Sequence, residues 1–168
     1  VGRHLVDEVS LSEPKVFPAV GAEKLRVIAV DCGMKANMVR EMNARGVTLL
    51  AVPWDYDFEA VLGDYDGLFI SNGPGDPEDC EQTIAHLQKT LAREGEDVRP
   101  VFGICLGNQL TGLAAGAKTV KLRFGNRGQN QPVLDALHPG ACMVTSQNHG
   151  YAVDDAALAE VRGKLRGI

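Results

Sequence analysis

The sequence predicts an α/β fold: an open, doubly wound, mostly parallel sheet with helices on both faces and antiparallel edge strands. Three observations carry that expectation. Short apolar segments rich in β-branched residues, RVIAVD, VTLLAVP, GLFIS and PVFGI, alternate with amphipathic segments such as KANMVREMNAR and EQTIAHLQKTLAREG, which is the grammar of βαβ units. VTLLAV and PVFGI are apolar throughout, as parallel strands covered on both faces require. The chain has 168 residues, 45% apolar and 23% charged, enough for one domain with a core of its own.

Residues 1–24 hold two prolines, mixed charge and little periodicity, and read as a connector ahead of the first strand. The strand RVIAVD follows from Leu25, then a helix over KANMVREMNAR, the strand VTLLAVP, a short helical stretch near FEAVLG and the strand GLFIS. A helix over EQTIAHLQKTLAREG, the strand PVFGI and a helix over NQLTGLAAG complete the alternation. Beyond Ala117 the pattern changes to four short candidate strands, KTVKLRF, QPVLDA, CMVTSQ and YAV, separated by the turn residues GNRGQN and HPGA. These are expected as antiparallel additions at one edge of the sheet.

Charge and cysteine usage exclude several classes. With 17 basic and 22 acidic residues the net charge is −5, so no global field favours nucleic acid or an anionic membrane. The sequence has neither a membrane-spanning apolar run nor the charged-then-apolar start of a signal peptide, which points to the cytoplasm. Cys32, Cys80, Cys105 and Cys142 form no CxxC pair and fit a reduced compartment. No His, Cys, Asp or Glu spacing suits a metal, and no GxGxxG or Walker loop suits a nucleotide.

In open α/β sheets ligands sit beyond the carboxyl ends of the strands. Three unusual loops fall there: SNGPGDP at 71–77, GICLGNQ at 103–109 and TSQNHGYAV at 145–153. In the second, Cys105 lies between a strand and a helix start and is flanked by Gly103 and Gly107, the small neighbours a sharp strand-to-helix turn needs to project a nucleophile. A helix N-terminus there stabilises a thiolate and offers N–H groups to an oxyanion. The competing reading is a buried structural cysteine with packing glycines. SNGPGDP, with two glycines and two prolines, is a rigid loop with exposed amides, suited to an oxyanion contact or simply to closing a strand. His149 is either the base for Cys105 or a hydrogen-bonded structural group. His4, His86 and His138, and the other three cysteines, read as structural or solvated.

Taken together and in order, SNGPGDP, FGICLGNQ, GAKTVKLRFGNRGQNQPV and TSQNHGYAVD resemble the class I (triad) glutamine amidotransferase domain of glutamine-dependent carbamoyl phosphate synthetases, and VDCGMK, VPWDYD and GNRGQNQP look like the eukaryotic pyrimidine-pathway form. The resemblance runs from about Leu5 to about Asp154. It implies that Cys105 attacks the carboxamide of L-glutamine, that Gly75 and Leu106 offer the oxyanion N–H pair, and that Gly73, Gly75, Leu106, Gln109, Asn148, Gly150 and Tyr151 hold the substrate. Ammonia would pass to a carbamoyl phosphate synthetase domain or subunit, with no cofactor in this domain and ATP and Mg used only by that partner.

Three positions depart from the family pattern. Tyr151 stands where phenylalanine is common, and Asn108 where the elbow usually carries a histidine. The family's base and orienting acid come from an HPE-like motif downstream of the SQNHG loop, and VRGKLRGI at 161–168 does not match it. The resemblance therefore implies a connector from an N-terminal domain over 1–24 and a partial amidotransferase domain over 25–168, lacking the HPE segment and weak or inactive alone. A non-catalytic, amidotransferase-like binding or regulatory partner of a synthetase is the alternative.

Overall fold

The computed structural model describes residues 3–135, 138–154 and 156. A central sheet is built from β1 (Lys15–Phe17), β2 (Leu25–Asp31), β3 (Val47–Pro53), β4 (Gly67–Ile70) and β5 (Val101–Gly103), in the order β1-β3-β2-β4-β5. The β2–β3, β2–β4 and β4–β5 pairs are parallel, and β1 runs antiparallel on the outer edge of β3.

Helices cover both faces because alternate residues of the strands are apolar in both directions. On one face Ile28, Val30, Leu68 and Ile70 pack with Leu87 of α2 (Glu81–Leu91) and with Leu106 and Leu110 of α3 (Leu106–Ala114). On the other, Ala29, Leu49 and Phe69 meet Met38, Val39 and Met42 of α1 (Ala36–Ala44). Each fully buried side chain of this kind stabilises the fold by about 1.5–3 kcal/mol. The FEAVLG stretch forms two 3₁₀ turns, Phe58–Ala60 and Leu62–Asp64, rather than a helix. Among the described residues no helix is long and apolar enough to cross a membrane.

The structure adds to one expectation and changes another. Within the stretch read as a connector, Val6 is 2% exposed within the core, and Asn43 Nδ2 donates to the carbonyls of Phe17 and Val47, stitching β1 to β3. Beyond Ala117, the expected short strands fuse into β6 (Thr119–Leu134) and β7 (Cys142–Val153), which pair antiparallel as a separate two-stranded sheet rather than extending the central one. The reason is local. GNRGQN does not end a strand but is absorbed as irregularities between Lys121 and Asn126 and between Gly128 and Gln131, with Gly125 at φ 67. The hairpin is anchored at its base, where Val153 packs on Ala115 and Ala117. The stretch 161–168, expected to lack the HPE motif, lies outside the described residues.

Candidate active site

The chain leaves β2 toward β3 on one side and β4 toward β5 on the other, so the crevice between the ends of β2 and β4 is the switch point of the sheet. The β4 exit is locked there. Ser71 Oγ accepts the Cys32 N–H at 3.0 Å, the Ser71 carbonyl accepts the Gly107 N–H at 3.1 Å, and Asn72 Nδ2 donates to the Gly33 carbonyl at 3.2 Å.

Cys105 sits on the corner between β5 and α3 with φ 55 and ψ −107, the one non-glycine residue with positive φ among the described residues. Such a conformation is strained for a side-chain-bearing residue and persists only where its surroundings enforce it. They do so through glycines that admit no side chain. A Cβ on Gly103 would lie 2.3 Å from the Gly107 carbonyl carbon, one on Gly107 2.2 Å from the Ile70 oxygen, and one on Gly73 2.2 Å from the Cys32 oxygen. The GxCxG spacing thus reflects close backbone approach within the elbow and between the elbow and β4, while Gly73 sets the SNGPG loop against the end of β2. Cys105 is partly exposed, whereas Cys32 and Cys80 are buried and Cys142 is exposed on the hairpin. Burial, then the neighbouring Cys80 and Asp31, raises the Cys32 thiol well above its ordinary range; burial, then Asp79 and Asp76, pushes Cys80 up to about 12.

A cavity of about 610 Å³ opens over the thiol. Gly73, Gly75, Cys105, Gln109, Asn148, Gly150 and Tyr151 line it, so the structure gathers in one place every residue singled out from the sequence except Leu106. Leu106, the first residue of α3, is 1% exposed and packs in the core next to Cys105 in the chain. β7 closes the cavity: Cys105 Sγ is 3.7 Å from the Asn148 carbonyl, and Gln109 Nε2 donates to the Tyr151 carbonyl at 2.7 Å. His149 lines the cavity but its ring nitrogens face the Tyr151 carbonyl at 2.8 Å and Gln147 Oε1 at 2.7 Å, so it serves the hairpin and not the thiol.

Sequence reading did not single out Asp76, whose Oδ2 accepts the Tyr151 hydroxyl at 2.7 Å, nor the cations Lys121, Arg123 and Arg127 on the β6 wall. None of the three cations is paired with a carboxylate among the described residues. The alternation of Lys121 and Arg123 along KTVKLRF places both on one strand face and was the available signal.

The family model for class-I glutamine amidotransferases matches residues 28–163. The chain belongs to this family. Among relatives of this amidotransferase, "Multifunctional protein CAD" of Squalus acanthias is 52% identical over 158 residues, covering 93% of the chain and 7% of that protein. The "Carbamoyl phosphate synthase arginine-specific small chain" of Neosartorya fischeri is 48% identical over 155 residues, covering 92% of the chain and 33% of the relative. The amidotransferase chain thus spans from less than a tenth to a third of these relatives. Its fold is similar to the crystal structure of a glutamine amidotransferase from Methylobacillus flagellatus, with a TM-score of 0.58 at 17% identity over 80% of the chain and 58% of that structure.

Proposed function

We propose that this chain is the glutamine-hydrolysing part of a carbamoyl phosphate synthase, releasing ammonia for a synthetase domain or subunit of the pyrimidine or arginine pathway. The observation that carries the reading is Cys105 held at φ 55 on the strand–helix corner, under a cavity shared with the SNGPG loop and the Asn148–Tyr151 strand. The Cys105 thiolate adds to the glutamine carboxamide carbon, the carbonyl electron pair moves to oxygen, and the N–H groups of Gly75 and Leu106 receive that oxyanion. Donors of this kind are worth about 3 kcal/mol each. Collapse breaks the C–N bond, the nitrogen leaves as ammonia after taking a proton, and water hydrolyses the glutamyl thioester to glutamate. Gln109, Asn148, Gly150 and Tyr151 hold the substrate, and a wall with acidic Asp79 opposite cationic β6 suits a zwitterionic amino acid. This chemistry calls for no cofactor in the domain; ATP and Mg belong to the partner's reaction. We place it in the cytoplasm.

The reaction also needs a proton acceptor for the thiol. Among the described residues no histidine nitrogen is bonded to Sγ: His4 pairs with the Asp79 carbonyl, His86 with Asp57, His138 with Asp135 and His149 with its own strand. General-base help of this kind is typically worth about 10²- to 10⁴-fold. The test is ammonia release from glutamine by the protein and by its Cys105→Ser variant. Release that the serine variant abolishes is expected. A full-length protein that binds glutamine without releasing ammonia would overturn the reading in favour of a non-catalytic partner.

A further inference from the structure

Among the described residues, the loop that carries Gly75 is hydrogen-bonded at its two ends and at none of residues 73–75 between them, where Gly73 packs against Cys32. Its start is fixed by the Ser71 and Asn72 hydrogen bonds to Cys32, Gly107 and Gly33. Gly75 itself, at φ 92, is exposed, and a Cβ built on it would meet nothing closer than Leu5 Cβ at 3.6 Å. The next residue, Asp76, is the second anchor: Oδ1 accepts the Glu78 N–H at 3.1 Å and Oδ2 the Tyr151 hydroxyl at 2.7 Å. Tyr151 is in turn fixed to the nucleophile's helix, because its carbonyl accepts Gln109 Nε2 at 2.7 Å. Asp76, Tyr151 and Gln109 therefore brace the Gly75 loop against α3 across β7.

We infer that Tyr151 is a positioning residue, whose hydroxyl, through Asp76, holds the Gly73–Asp76 loop so that the Gly75 N–H meets the oxyanion formed over Cys105. The inference rests on the glutaminase reading and adds to it a role that phenylalanine at this position cannot fill. A hydroxyl-to-carboxylate hydrogen bond is charge-assisted and among the stronger side-chain contacts. An oxyanion donor displaced by about 1 Å forfeits much of its effect, while substrate bound through other contacts is retained. Losing the tether should thus reduce turnover and spare substrate affinity.

The test uses the full-length protein with Tyr151→Phe, Asp76→Ala, both together, and Asp76→Asn. In the asparagine variant Oδ1 still accepts from Glu78 and Nδ2 donates to the Tyr151 hydroxyl oxygen, so the brace is kept with its donor reversed. Tyr151→Phe and Asp76→Ala are each expected to lower kcat for glutamine about 10- to 100-fold with KM within about twofold, the double variant no further, and Asp76→Asn to stay within about threefold of wild type. Amide hydrogen exchange gives a readout independent of activity: residues 72–79 exchange at least about tenfold faster in Tyr151→Phe and Asp76→Ala, with β2 and β4 unchanged. An unchanged kcat, a rise in KM alone, additive losses in the double variant, or unaltered exchange at 72–79 would each overturn the inference. If wild type releases no ammonia, the glutaminase reading fails instead, and the exchange comparison still decides for or against the brace.

Discussion

Cys105 Sγ lies 3.7 Å from the main-chain oxygen of Asn148, so β7 closes directly over the elbow. That contact makes the thiol reachable mainly through the cavity, and it separates Cys105 from the other cysteines by shape as well as by chemistry. Cys142 is exposed and does not line the cavity; Cys32 and Cys80 are buried, with thiols raised by that burial. A chloroketone analogue of glutamine is expected to modify Cys105 alone, and glutamine to protect it. Iodoacetamide should add Cys142 and leave Cys32 and Cys80 untouched. Peptide mass mapping reads the outcome; equal modification of Cys105 and Cys142 by the analogue would refute the pocket.

The elbow glycines make a stability prediction with an internal control. Gly103→Ala and Gly107→Ala drive a methyl to 2.3 and 2.2 Å from rigid backbone, and each is expected to destabilise by about 2–3 kcal/mol. Gly63→Ala meets nothing within 4 Å and should change stability by less than about 0.5 kcal/mol. Urea unfolding midpoints at constant slope measure all three.

Val6 tests whether the N-terminal stretch belongs to the folded unit. Removing two buried methyl groups by Val6→Ala should cost about 2 kcal/mol, the transfer loss plus a small cavity. Val20→Ala, 70% exposed in the same stretch, should be near neutral. Equal, small effects at both sites would show that Val6 adds nothing to the folded unit.

The hydrogen bond to Asp76, then desolvation and the charges of Asp76, Asp79 and Glu78, pushes the Tyr151 hydroxyl up to about 12. Because the folded value exceeds the ordinary value of about 10, the folded state holds a proton that the unfolded chain loses first. The stabilisation is therefore complete below about pH 10 and disappears as pH rises toward 12. The difference between wild-type and Tyr151→Phe phenolate absorbance should show this late titration, and Asp76→Ala should bring it down. A Tyr151 that ionises near 10 in wild type would contradict the bond.

The sequence by itself determined the alternation of parallel strands and helices, the Cys105 elbow and the cluster of loop residues around it. Each of these depends on local rules: apolar runs of strand length, helical periodicity, and glycines where no side chain fits. Tertiary structure alone decided the rest. Whether Val6 is buried depends on a core cluster that includes Val30, Val52 and Leu106, all more than twenty residues further along the chain, and no local pattern encodes that. The hairpin's continuity through GNRGQN depends on β7 pairing past two irregularities, where composition had suggested turns. The Tyr151–Asp76 bond joins residues that share no motif, brought together by the return of β7 over the β4 exit. His149, equally poised in sequence between base and structural group, is assigned to the hairpin by the two oxygens its ring meets there. Spacing along a chain fixes which residues are available, and the packing of distant segments fixes which of them touch.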